Sequence, residues 1–219
     1  MLVFIQSLVL AFSALLPVVN PLGSALLFLG VVGSAPPEEF RQLARSVAVR
    51  TMLFLLVVEL GGAALLAFFQ ISLPVVQLAG GFVLAAMGWQ LLNEKEADTG
   101  SAKPATSRDP GQLKDKIFYP LTFPITAGPG CIVVTGTLSA HAPRHTVSQN
   151  VIAHFGIAFA IVAISFLVWL SYAYAPKITR VVAPQTVQGI LRVIAFILLC
   201  IGVQIGWHGL EGMIRTLPK

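Results

Sequence analysis

The chain has 219 residues, 56% of them hydrophobic and only 11% charged, with a mean hydropathy of +0.85. Soluble domains carry about 25% charged residues, so this composition excludes an ordinary globular protein and points to the membrane. The net charge of +5 is not gathered into a basic stripe with interleaved aromatics, which argues against a nucleic-acid partner and leaves membrane topology to explain it.

Met1 to Pro37 carries no formal charge. This run has no basic start and far exceeds the ~7–15-residue apolar core of a signal peptide, so it is expected to persist as a first span, residues 2–33. A straight helix of that length would measure ~48 Å against a hydrocarbon core of ~30 Å. Within it, LLPVVNPLGS, Leu15–Ser24, places Pro17 and Pro21, which lack a backbone donor and crowd the preceding turn, beside Gly23, which loosens the chain. A break is predicted between Leu16 and Ser24.

From Thr51 to Asn93 the single formal charge is Glu59. That run is too long for one helix and divides at QISLP, where Pro74 suits a helix start, giving spans at 42–69 and 73–92. NEKEADTGSAKPATSRDPGQLKDKI follows, with ten charged residues in 25, and reads as a mobile cytoplasmic linker. Further apolar runs place spans at 118–140, 148–174 and 187–210. The fourth is interrupted by Pro124, Gly128, Pro129 and Gly130, and a helix is expected to restart near Cys131.

The expected fold class is all-α: a polytopic membrane protein of six transmembrane helices, arranged as two inverted three-helix repeats with helices 1 and 4 broken. The first repeat is 1–92, the charged linker 93–117 and the second repeat 118–219. Three spans per half turn the second half upside down, an organisation common in secondary transporters. AGGFVLAAMGWQ of the third span, laid beside VIAFILLCIGVQ of the sixth, pairs Gly88 with Gly202 and Gln90 with Gln204. With the amino terminus outside, cytoplasmic connections hold ten Lys and Arg residues against three on the other face, so both termini are predicted to lie outside the cytoplasm. Trp89, Tyr119, Trp169, Tyr172 and Trp207 fall near predicted span ends, where aromatic belts form.

A break at membrane depth frees backbone groups and aims a new helix start, with its positive dipole end, at the midplane. Asn20, Ser24, Thr122 and Thr126 surround the two breaks with donors and acceptors; Pro21, Gly23, Pro124, Gly128, Pro129 and Gly130 shape them. Such a constellation suits the carboxylate and amine of a small zwitterion. The competing reading is a pair of packing kinks whose polar side chains cap their own backbone, in a membrane-embedded regulatory or assembly protein.

Here the chain resembles the MarC family of bacterial inner-membrane proteins over nearly its whole length. The resemblance rests on Asn20, Pro21 and Gly23 in NPLGS, on Pro124, Gly128, Pro129 and Gly130 in PLTFPITAGPG, and on the three-plus-three layout. It implies relation to amino-acid exporters and transport of a small neutral amino acid, coupled to H⁺ or Na⁺.

Glu59, flanked by apolar residues, is the candidate for the coupling proton or cation, because an intramembrane carboxylate is costly and marks function by default. The structural alternative is a carboxylate hydrogen-bonded inside the bundle. Arg192, a few residues inside the sixth span, is expected to snorkel to the interface. Cys131 and Cys200 read as small apolar side chains without a disulfide. His141 and His145 in HAPRH are separated by Pro143 and lack a carboxylate or cysteine, so no metal is expected. His154 and His208 read as interfacial or packed. An enzyme is not expected: HExxH is absent, every Asp lies in the linker, and Ser165 and His154 stand about three turns apart on one helix. No P-loop is present, so neither ATP nor another cofactor is implied.

Overall fold

The computed structural model describes residues 1–32, 36–93, 117–140, 146–181 and 184–215. Most of the charged linker, residues 94–116, and His141, Arg144 and His145 lie outside the described residues. Among the described residues there are helices and turns and no strands.

Helix α1, Leu2–Val19, continues through Asn20 into α2, Pro21–Val32, and the two form one apolar span of 31 residues. Helix α3 is Pro37–Phe68 and α4 is Leu73–Asn93. An irregular wound segment, Ile117–Thr126, contains extended backbone at Tyr119 and Phe123 and bends by 65° into α5, Pro129–Ala140. Helix α6 is Val147–Val181 and α7 is Pro184–Arg215. Among the described residues five spans are long and apolar enough to cross a membrane, or six if the bent pair crosses as one. The chain is therefore a polytopic, all-α membrane protein.

Two helices extend beyond their apolar runs for local reasons. Helix α3 starts at Pro37 rather than near residue 42, with proline at a position that tolerates its missing N–H and Glu38 and Glu39 in the first turn, favourable to the dipole. Helix α7 runs on to Arg215, which bonds Glu211 one turn back at 2.6 Å.

Helices α1, α2 and α3 all pack on α6. Their shared core includes Leu15, Phe28, Leu55, Leu121, Ile161 and Ile164, all fully buried. Phe28 occupies its centre, stacked on Tyr172 at 4.5 Å and edge-on to Phe40 at 5.0 Å. Helix α3 also reaches the irregular segment, where Phe54 meets Phe123 at 5.9 Å.

Helices α4 and α7 form a second unit, held by glycines. A Cβ at Gly88 would lie 2.6 Å from the Leu199 nitrogen and 2.8 Å from the Ala195 oxygen. A Cβ at Gly202 would lie 2.3 Å from the Ala85 nitrogen and 2.8 Å from the Gly81 oxygen. Each glycine thus faces the positions three and seven residues before the other. The contact continues from Gly81 against Gly206 to Pro74 against Gly212, falling along α4 as it rises along α7, so the helices are antiparallel. Lipid supplies no hydrophobic drive between helices, and small residues that admit backbone against backbone are what holds such a pair.

Gly88→Leu is expected to destabilise the detergent-purified protein by about 1–3 kcal/mol, the usual range for overpacking, because its side chain would enter the α7 backbone. Gly61→Ala, where nothing lies within 4 Å, is expected to leave stability unchanged or raise it slightly. Thermal unfolding of the two variants checks the contrast.

Candidate functional site

The first break is a single residue. Asn20 has φ 45 and ψ 67, a left-handed conformation that asparagine tolerates better than most residues because its short polar side chain can bond locally. Its N–H closes α1 on the Leu16 carbonyl at 3.0 Å, and its own carbonyl accepts the Ser24 N–H at 2.9 Å to open α2. Asn20 Oδ1 also accepts the Gly23 N–H at 3.1 Å. A Cβ at Gly23 would lie 2.3 Å from Asn20 Nδ2, so glycine is required for the amide to sit there. Pro21 begins α2, where a missing N–H costs nothing. Asn-Pro-x-Gly is thus a cap built into the middle of a span. Pro17, expected to share in the break, lies inside α1, which continues to Val19.

Ser24 is buried and its hydroxyl donates to the Asn20 carbonyl at 2.8 Å, with the Val19 carbonyl at 3.4 Å. The hydroxyls of the second break behave alike. Thr122 Oγ1 donates to the Ile117 carbonyl at 2.7 Å and Thr126 Oγ1 to the Leu121 carbonyl at 2.6 Å. Tyr119-Pro120-Leu121-Thr122 and Phe123-Pro124-Ile125-Thr126 are consecutive copies of one device: an extended aromatic, a proline without a donor, and a threonine that supplies one. Helix α5 then starts at Pro129, two residues before the expected Cys131, whose N–H bonds the Gly128 carbonyl at 3.0 Å.

The two breaks lie against each other. A Cβ at Gly130 would stand 2.5 Å from Leu84 Cδ2 and 3.2 Å from Val18 Cγ1, which places the start of α5 beside the last turn of α1. Gly128 folds back on its own segment, where a Cβ would be 3.1 Å from the Pro124 carbonyl. Tyr172 of α6 joins the pair: its hydroxyl lies 2.7 Å from Thr126 Oγ1, with Ser24 against the same hydroxyl. Tyr172 is wholly buried, not part of an aromatic belt as its position near a span end suggests. One hydroxyl from each break therefore converges on one phenol. Thr122 is buried but bonded within its own segment, while Pro124 and Pro129 are exposed and shape the turn without lining the meeting point. Nothing in SYAYAP distinguishes Tyr172 from an interfacial aromatic; the packing of α2 and the wound segment on α6 does.

Glu59 is 1% exposed and lies elsewhere. Its Oε1 bonds His154 Nδ1, its main-chain carbonyl accepts the Ser139 hydroxyl at 2.7 Å, and its Oε2 is buried without a partner. Tyr172 stands 18 residues beyond His154 on α6, ~27 Å along the helix axis, so the carboxylate and the breaks meet α6 at separate places. The sequence offers no signal pairing Glu59 with His154, which lie 95 residues apart. Among the described residues no group of three or more His, Cys, Asp or Glu gathers to hold a metal.

Asn20→Ala is expected to cost ~1 kcal/mol, the usual worth of an N-cap, while Asn20→Asp keeps the acceptor for Gly23 but brings an ionisable carboxyl to membrane depth and should cost more. Gly23→Ala should do at least as much harm as Asn20→Ala by displacing the amide. Thermal unfolding midpoints rank the three.

The MarC family of integral membrane proteins matches residues 5–214. The inner membrane protein MarC of Escherichia coli strain K12 is 27% identical over 219 residues, covering 99% of both chains. That of Citrobacter koseri is 30% identical over 206 residues, covering 92% of this chain and 93% of its own. No solved structure matches. With its apolar spans and a family match over nearly its whole length, this multi-pass inner-membrane chain belongs to the MarC family.

Proposed function

We propose that the chain is a secondary transporter of a small solute, a small neutral amino acid, working by alternating access around the meeting point of the two breaks. The observation that carries this reading is the convergence of Ser24 and Thr126, one from each broken span, on the buried Tyr172 hydroxyl. The hydroxyls now donate to their own backbone. A solute carboxylate offers them, and the helix starts at Pro21 and Pro129, a better acceptor; the carbonyls so released receive the ammonium. Solute and backbone compete for the same donors, which makes the breaks able to exchange partners rather than merely bend.

Under this proposal the halves 1–92 and 118–219 are inverted repeats that rock against each other, and both termini face the periplasm, as the Lys and Arg distribution favours. The reciprocal glycine contacts of α4 and α7 support treating these helices as equivalents. The coupling ion, H⁺ or Na⁺, belongs to Glu59. The second reading, a membrane regulatory or assembly protein with structural breaks, is favoured by one observation: the Asn20 amide and the Ser24 and Thr122 hydroxyls already satisfy local backbone.

Thermal unfolding of the purified protein against glycine, alanine and serine, with and without Na⁺, separates the two. The transport reading expects a saturable stabilisation reaching about 2.7 kcal/mol at a hundredfold excess over Kd, with uptake into proteoliposomes. Thr126→Val and Tyr172→Phe should fold and lose both. No stabilisation and no uptake by the folded wild type would leave the structural reading.

A further inference from the structure

We propose that Glu59 and His154 form one proton-binding site that couples the protonation of α3 and α6 to transport. The coupling rests on the transporter reading; the proton site does not. Two groups in hydrogen-bond contact, one an imidazole nitrogen and the other a carboxylate oxygen, necessarily hold a proton between them. With one proton the pair bears a negative charge inside an apolar bundle; with a second it is neutral. Burial of an isolated charge is costly, so the pair has a physical reason to take up the second proton when closed off from water and release it when opened.

The geometry supplies both a store and a route. The Glu59 side chain is 1% exposed, and its Oε2 has no partner, so the carboxylate presents a free buried oxygen for a proton. His154 is 31% exposed and meets Glu59 through Nδ1, so Nε2 is the ring nitrogen that Glu59 does not engage. An imidazole that accepts at one nitrogen and donates at the other carries a proton from the α5–α6 end of the bundle to the carboxylate. Asn150, one turn earlier on α6, brings a second buried oxygen without a donor, Oδ1.

Among the described residues, the charge on a neighbouring helix nearest this end of α6 is the exposed Met1 ammonium of α1, whose Phe4 carbonyl lies against Gly156. On α3 the next formal charge towards the start is Arg50, more than two turns away; α5 carries only Cys131, eight residues before Ser139; the wound segment carries Tyr119. On α6 the remaining titratable groups with described side chains are Tyr172, Tyr174 and Lys177, towards the far end. Among the described residues, the polar contacts of Glu59 are His154 and Ser139. Because α6 bears both His154 and Tyr172, a change in its contact with α3 reaches the breaks through one rigid helix.

The test has two arms on the full chain. In the first, ring-nitrogen NMR of ¹⁵N-histidine protein is followed from roughly pH 5 to 9, with His154→Asn assigning the His154 signal; asparagine keeps a donor near the Nδ1 position but cannot titrate. The site expects the His154 ring-nitrogen signals to respond to pH, and that response to differ in Glu59→Gln. No titration, or one unchanged by Glu59→Gln, overturns the proton site. In the second arm, alanine uptake into proteoliposomes is driven by an imposed pH gradient. The proposal expects acceleration by the gradient in wild type and its loss in His154→Asn and Glu59→Gln. Wild-type uptake that ignores the gradient overturns the coupling, whereas a titrating pair in a protein that takes up no solute overturns the transport reading and leaves the proton site standing.

Discussion

The structure depends on one constraint: in hydrocarbon, a backbone N–H or carbonyl must find its partner within the protein. A continuous helix meets it automatically. A broken one does so only if side chains replace the missing ladder, and here they do so residue by residue. Asn20 serves Gly23, Ser24 serves Asn20, Thr122 serves Ile117 and Thr126 serves Leu121. The two breaks use different chemistry for the same end: one asparagine cap around a left-handed residue, and a tandem proline–threonine device ending in a 65° bend.

These repairs explain why the polar residues occur where they do, and under the transport proposal they also form a site that can change. A hydroxyl bonded to its own backbone carbonyl is held by a net interaction of only about 0.5–1.5 kcal/mol. An ionised solute group, as a charge-assisted partner, competes on favourable terms. Tyr172 adds what the breaks lack: a partner shared by both, fixed by its stacking on Phe28. Under the transport proposal, capping and solute binding are two states of the same donors.

The bundle is divided by the forces available in each part. Around α6, large side chains fill a core in which α1, α2 and α3 share one helix. Between α4 and α7 the side chains are removed, and glycines bring backbone onto backbone. Glu59 and His154 belong to the first part, yet they touch neither break. Placing a carboxylate there exposes the bundle to a large desolvation cost, offset by one imidazole contact and leaving one oxygen without any.

The spans, their breaks and the family were legible in the sequence because each is local or compositional. Long apolar runs require helices at membrane depth, proline removes a donor wherever it stands, and Asn20-Pro21-x-Gly23 carries the cap chemistry within four residues. Gly88 and Gly202 could be singled out as well, since small residues stand out in a helix of large ones, and both lie in the α4–α7 contact. Which proline tolerates the helix was not legible: Pro17 and Pro21 look alike in sequence, and α1 simply continues past the first. Nor were the partners of the buried groups. Tyr172 meets Thr126 across 46 residues and His154 meets Glu59 across 95. Sequence sets what each residue offers; only the packing of α3, α5 and the wound segment against α6 decides which offers meet, because that depends on helix rotation and bend angle, which apolar faces exposed to lipid leave unmarked.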